Sequence, residues 1–143
     1  MQDSLHYLIM ANQMLVQKAL IERIKESGLT IGQPKILDYL KDHDGSNQKE
    51  IAQACFIEAG SLTSVLNKME EKDLIERRIL NGNRRTYHIF MTKKGKEKQK
   101  LVEQAFQEIE QKALENISKE EYEQFLLVYK KIYLNLQNKG EWL

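Results

Sequence analysis

The chain predicts a mainly α-helical α+β fold with one small β-hairpin among its helices, and three observations predict it. Apolar residues recur at helical spacing over most of the length. The pairs Thr30/Gln33, Asn47/Glu50 and Ser118/Glu121 have capping-box spacing, which marks helix starts. One short stretch turns β-prone on either side of Asn81-Gly82, a dipeptide typical of tight hairpin turns. With 143 residues, 41% hydrophobic and 30% charged, the chain is too apolar for disorder. A chain of that size buries roughly 68–70% of its unfolded surface. The single cysteine, Cys55, excludes an intrachain disulfide and a thiolate-rich zinc site, and fits a reducing compartment. Apolar runs are only a few residues long, and Met-Gln-Asp-Ser lacks the features of a signal peptide. A soluble cytoplasmic protein without a membrane segment is expected.

The elements follow in order. Leu5, Leu8, Ile9, Val16, Ala19, Leu20 and Ile24 form a helical stripe that Met10, Met14, Leu15 and Ile21 widen beyond one face, so this helix needs more than one neighbour. Gly28 supplies its left-handed stop. The Thr30/Gln33 pair, with Pro34 tolerated in the first turn, starts a second helix running from Gln33 to about Lys41. Asp44-Gly45 is a turn, and the Asn47/Glu50 pair opens a short third helix through Ala54. Cys55, Phe56 and Ile57 are expected to pack under a tight turn. A fourth helix spans about Ala59 to Lys72, with Leu62, Val65, Leu66 and Met69 inward and Ser61, Thr63, Ser64, Asn67 and Lys68 outward. The hairpin strands surround Ile75 to Ile79 and Thr86 to Phe90. Thr92 caps a fifth helix whose stripe, from Leu101 to Leu114, is too long for one small core. The Ser118/Glu121 pair opens a sixth, with Tyr122, Phe125, Leu126, Tyr129, Ile132, Tyr133 and Leu136.

Charge is unevenly distributed. Residues 1–45 carry five basic and six acidic groups (−1), residues 46–98 eleven and seven (+4), and residues 99–143 six and eight (−2). Within residues 77–98, Arg77, Arg78, Arg84, Arg85, Lys93, Lys94, Lys96 and Lys98 stand against Glu97 alone. A charge run is ordinarily a solvated face, but this imbalance exceeds what solubility needs and suggests an anionic polymer.

Two short helices, a turn, a polar-faced helix and a basic hairpin are the layout of a winged helix-turn-helix. A helix enters the major groove only with small polar or basic side chains on its outer face, which Ser61, Thr63, Ser64, Asn67 and Lys68 provide. The hairpin brings Arg84 and Arg85 to a tip narrow enough for a minor groove, and Lys93 fits a phosphate contact. Each feature alone has a bland reading as exposed surface; their order together favours double-stranded DNA as partner.

The stretch from Ile51 to Gly95, above all Met69-Glu70-Glu71-Lys72, Leu74-Ile75-Glu76-Arg77 and Met91-Thr92-Lys93-Lys94-Gly95, resembles the MarR family of bacterial transcription regulators. The flanking helices fit too, so the resemblance covers one domain over 1–143. It implies a winged DNA-binding lobe at 30–98 and dimerisation helices at 1–28 and 99–143. It also implies a homodimer, usually a repressor, on a pseudo-palindromic operator. Apolar surface in excess of what one protomer covers on the first, fifth and sixth helices agrees with a dimer. The resemblance further implies a pocket for a small aromatic or lipophilic effector, for which Met14, Tyr39, His43 and Phe106 are candidates. Three positions depart from the family: Asn83 stands where an Asp precedes the wing arginine, Ser64 where many relatives carry Arg, and Asp73 where Gly is common.

No catalytic signature stands beside these. His6, His43 and His88 are isolated, and no HExxH, Gly-x-Ser-x-Gly or phosphate-cradling loop occurs. Neither an enzyme nor a cofactor is expected. Cys55 is either a small buried hydrophobe or a thiol redox sensor. A helical protein-interaction module on the same fold is the alternative to a DNA binder.

Overall fold

The computed structural model describes residues 3–80 and 86–137. Its elements, in chain order, are α1 (Leu5–Ile24), α2 (Gln33–His43), β1 (Ser46–Asn47), α3 (Gln48–Cys55), α4 (Ala59–Glu71), β2 (Ile75–Ile79), β3 (Tyr87–Met91), α5 (Lys93–Ala113) and α6 (Lys119–Leu136). They fall into two compact units, Met1–Ile109 and Glu110–Leu143.

In the first unit, local chemistry accounts for most boundaries. A short 3₁₀ turn follows α1 and ends at Gly28, whose φ of 81° is the left-handed stop expected there. Asn47 and Glu50 complete a capping box at α3, with Glu50 N–H donating to Asn47 Oδ1 (2.9 Å) and Asn47 N–H to Glu50 Oε1 (3.1 Å). The Thr30/Gln33 pair makes only half of one. Thr30 N–H donates to Gln33 Oε1 at 3.1 Å, but the residue that caps α2 is Gly32, at φ 91°, so the threonine hydroxyl caps nothing. Gln33 is buried, and its Oε1 also accepts from Lys72 Nζ at 3.3 Å. Phe56 likewise departs from expectation. It takes the left-handed conformation that ends α3 and its ring is 72% exposed, while Cys55 and Ile57 do the packing.

The sheet has three antiparallel strands in the order β1-β3-β2. Ile75 faces Met91, Arg77 faces Ile89 and Ile79 faces Tyr87. The two-residue β1 pairs Ser46 with Ile89 and Asn47 with His88, adding a strand the sequence does not announce. The sheet closes one end of a core made by Ile36, Leu37 and Leu40 of α2, Ile51 and Cys55 of α3, Leu62, Leu66 and Met69 of α4, with Leu74, Ile75, Ile89 and Met91. A second cluster joins Leu20 and Ile24 of α1 to Ala105 and Ile109 of α5.

The passage from α4 into β2 is locked onto the start of α5. Asp73 adopts φ 61°, and Leu74 N–H bonds back to the Met69 carbonyl at 2.9 Å, a Schellman-type ending. Thr92 N–H donates to Leu74 O (3.1 Å), the Thr92 hydroxyl to Asp73 O (2.6 Å) and Lys94 Nζ to Lys72 O (3.0 Å). Thr92 Oγ1 also accepts from Gly95 N–H at 3.0 Å, the cap anticipated for α5. The approach is so close that a Cβ on Gly95 would sit 2.0 Å from the Leu74 carbonyl oxygen.

In the second unit, Ser118 and Glu121 form a complete capping box at α6. No described residue of that helix is buried. Phe125, Leu126, Leu127, Val128, Tyr129, Tyr133, Leu134 and Leu136 are all exposed within the chain, and the Phe125 and Tyr129 rings stack at 4.9 Å. Among the described residues no helix is long and apolar enough to cross a membrane.

Gly95→Ala must displace backbone and should cost about 2–3 kcal/mol or more. Gly60→Ala, where an added Cβ meets nothing within 4 Å, should stay within about 1 kcal/mol of wild type. Urea midpoints measured side by side check the contrast.

Candidate nucleic-acid interface

The orientation of α4 follows from its burial. Leu62, Leu66 and Met69, spaced by four and three residues, point into the core, with Val65 beside them. Ser61, Thr63, Ser64, Asn67 and Lys68 therefore lie on the opposite side, and all five are exposed. None of these side chains is long and apolar, and their hydroxyl, amide and ammonium groups match the donors and acceptors of base edges and phosphates.

Neighbouring elements hold this face in place. Thr63 Oγ1 donates to the Ala59 carbonyl (3.1 Å) and accepts from Gln48 Nε2 at the start of α3 (3.4 Å). Asn67 Oδ1 accepts from Arg77 on β2 at 2.9 Å, while the other terminal nitrogen of Arg77 bonds Glu70 Oε1 at 3.1 Å. Arg78 pairs with Glu76 and lies 4.3 Å from the centroid of the Phe90 ring. Arg77 and Arg78, counted among the basic residues available to an anion, are thus engaged within the fold. The sequence shows their charge but not their partners, because Glu70, Asn67 and Phe90 come near only through the α4–β2 corner and strand pairing.

Lys93 is exposed at the first position of α5, where the positive end of the helix dipole adds to its charge. Arg84 and Arg85 lie outside the described residues. The basic surface therefore comprises Lys68, Lys93 and neighbouring lysines of α5, among the described residues.

The four residues considered for an effector pocket divide. Tyr39 and His43 stack one helical turn apart on α2, with ring centroids 4.5 Å apart and planes within 2°. The Tyr39 hydroxyl is 3.1 Å from Ser46 Oγ, which donates to the His43 carbonyl at 2.7 Å. Phe106 packs instead against the α1–α5 cluster, and Met14 is exposed on α1. No group of three or more His, Cys, Asp or Glu capable of holding a metal occurs among the described residues.

Cys55 is buried at the end of α3, with its thiol 3.6 Å from the Lys35 carbonyl. Burial pushes the thiol pKa up, against a smaller downward pull from Lys35. That is the opposite of the activation a sensing thiolate requires.

Comparison with known proteins bears on this geometry. The family model described as the MarR family matches residues 29–87, which run from the residue after the Gly28 stop to the first residue of β3. The HTH-type transcriptional regulator SarZ of Staphylococcus epidermidis is 26% identical over 109 residues, 76% of this chain and 74% of SarZ. S. aureus MepR in its DNA-binding conformation superposes with a TM-score of 0.85 at 26% identity, covering 94% of this chain and all of that one (100%). Over residues 29–87 the chain is thus similar to the MarR family. A crystal structure of an S. aureus MepR–DNA complex is similar as well, with a TM-score of 0.81 at 29% identity over 95% of this chain and 100% of the other. SarZ and the regulatory protein for the hcr operon of Thauera aromatica, 29% identical over 74% of this chain and 64% of that protein, are both transcriptional regulators. The winged-helix fold expected from the hairpin and capping signals agrees with these structures.

The buried thiol carries its own test. In the folded protein, iodoacetamide at neutral pH should alkylate Cys55 at least about tenfold more slowly than in urea, because little thiolate forms and access is poor. The same raised pKa means the folded state holds its proton longer than the unfolded one. The resulting stability is fully present below the ordinary thiol pKa and is lost as pH rises through the raised folded-state value. Mass spectrometry of timed aliquots reads the alkylation.

Proposed function

We propose that two copies of this chain form a homodimer that binds a pseudo-palindromic duplex as a repressor. The observation that carries the proposal is the outward face of α4, where Ser61, Thr63, Ser64, Asn67 and Lys68 are exposed together and Leu62, Leu66 and Met69 fix the helix beneath them. Such a face can read base edges in a major groove, and the similar S. aureus MepR forms a complex with DNA. Lys93 contacts phosphate, and Arg84 and Arg85, which the sequence puts between β2 and β3, enter the neighbouring minor groove.

Dimerisation through 1–28 and 99–143 is supported by apolar surface that one chain leaves uncovered. On α6 this includes Phe125, Leu127, Val128 and Leu134, and on α1 Leu5, Met10, Met14 and Leu15. Exposed apolar side chains in such number on a helix belong at an interface. A small aromatic or lipophilic effector would act by favouring a dimer whose α4 helices no longer stand one DNA turn, about 34 Å, apart. The Tyr39–His43 stack offers an aromatic surface for such a ligand, with Phe106 and Met14 as further candidates.

The test is a titration against the DNA upstream of its own coding region and a scrambled duplex, at several salt concentrations. The upstream duplex should bind more tightly, with log affinity falling steeply against log salt. Arg85→Ala should reduce that slope by about 1, one phosphate-region charge being lost. Sedimentation should give about twice the 16.8 kDa chain mass. An unchanged slope would remove Arg85 from the interface, and a monomer that still binds selectively would refute the dimer.

A further inference from the structure

We infer that Arg77 is a specificity-positioning residue, which turns the Asn67 amide so that it offers DNA a donor and selects guanine over adenine at one position of each half-site. The inference rests on the DNA-binding reading of α4 and deepens it.

A guanidinium has five N–H donors and no acceptor, so whichever amide atom of Asn67 faces Arg77 must be the oxygen. That removes the usual uncertainty between the two ends of an amide side chain. Asn67 Oδ1 receives the Arg77 bond at 2.9 Å, and Nδ2, across the planar amide, is directed away from it. Arg77 is itself held firmly. Its side chain is 15% exposed, its other terminal nitrogen bonds Glu70 Oε1 at 3.1 Å, and its Nε is buried without a partner. The fork thus spans two residues of α4 one turn apart, from a strand that does not move with that helix's side chains.

Base edges in the major groove respond differently to such an amide. Adenine is read by Asn through two bonds, one accepted by the amide oxygen and one donated by its nitrogen. Here one lone pair of the oxygen already serves Arg77, and that bond holds the oxygen toward β2, away from where the second adenine bond would need it. Guanine presents two acceptors, N7 and O6, which an NH₂ group alone satisfies. Asn67 is exposed on the proposed reading face, between Ser64 and Lys68, where that NH₂ is free to meet a base. Neither residue reveals this alone: the sequence shows an asparagine with both hydrogen-bonding options open.

The experiment selects binding sites from a pool of duplexes containing twenty randomised base pairs, using full-length wild type, Arg77→Met and Asn67→Asp, each checked by thermal melting. Wild type should prefer guanine over adenine by about tenfold at one symmetric position per half-site, the size expected when two bonds discriminate. Arg77→Met frees the amide oxygen, so at that position alone the guanine-to-adenine ratio should fall toward about 1. Asn67→Asp keeps an oxygen for Arg77 but has no donor, and should lose the guanine preference while melting no lower than wild type. If Arg77→Met weakens binding to all sequences alike and leaves the preference intact, Arg77 is only structural and the inference fails. Should Arg77→Met not fold, a guanine preference retained by Asn67→Asp overturns it equally. If wild type enriches no sequence at all, the DNA-binding reading itself falls, and this inference with it.

Discussion

The contact on which the rest of the winged lobe depends is the approach of Gly95 to the Leu74 carbonyl. Two helix ends meet there: α4 has just finished and α5 is in its first turn. The Thr92 hydroxyl bonds backbone on either side of the junction, donating to Asp73 O and accepting from Gly95 N–H. The hairpin between these two points is therefore tethered at its base by main-chain and hydroxyl bonds rather than by packing alone. Because buried backbone groups must find partners, the geometry is close to all-or-none. Moving α5 by the width of one methyl group breaks the cap, the strand start and the helix end together.

From that junction the orientation of α4 is set. Asp73 turns the chain in the left-handed conformation, where its short polar side chain is tolerated. Leu74 and Ile75 then enter the core, and Arg77, two residues further along the strand, returns to the outer side of α4. The rotation of α4 is fixed below by leucines and a methionine, and its polar groups are oriented from beside by Arg77 and Gln48. Preorganisation of this kind lowers the entropy lost when side chains settle against a ligand.

Much of this was legible in the residues. Helix positions followed from apolar spacing, and two of three capping boxes are complete because Asn47/Glu50 and Ser118/Glu121 need nothing beyond their own four residues. Thr30/Gln33 misled because Gln33 is drawn into the interior by Lys72, far along the chain, leaving Gly32 as the cap. Phe56 misled because apolar composition suggests burial, whereas its backbone role as the left-handed end of α3 places the ring outside. The strand β1 carries no local signal: two residues become a strand only when β3 is present. In the interface, the exposed face of α4 could be read from periodicity, but the engagement of Arg77 and Arg78 could not, since charge alone does not reveal a partner brought close by a turn. The burial of Cys55, which the sequence left open, comes from the packing of α3 against the core.

The central claim is that two copies of the α4 face enter successive major grooves of one duplex. Hydroxyl-radical footprinting on a duplex selected from a random pool tests it most directly. The account predicts two protected patches on the same side of the helix, with centres about 10 base pairs apart. A single patch, or uniform protection along the duplex, would contradict it.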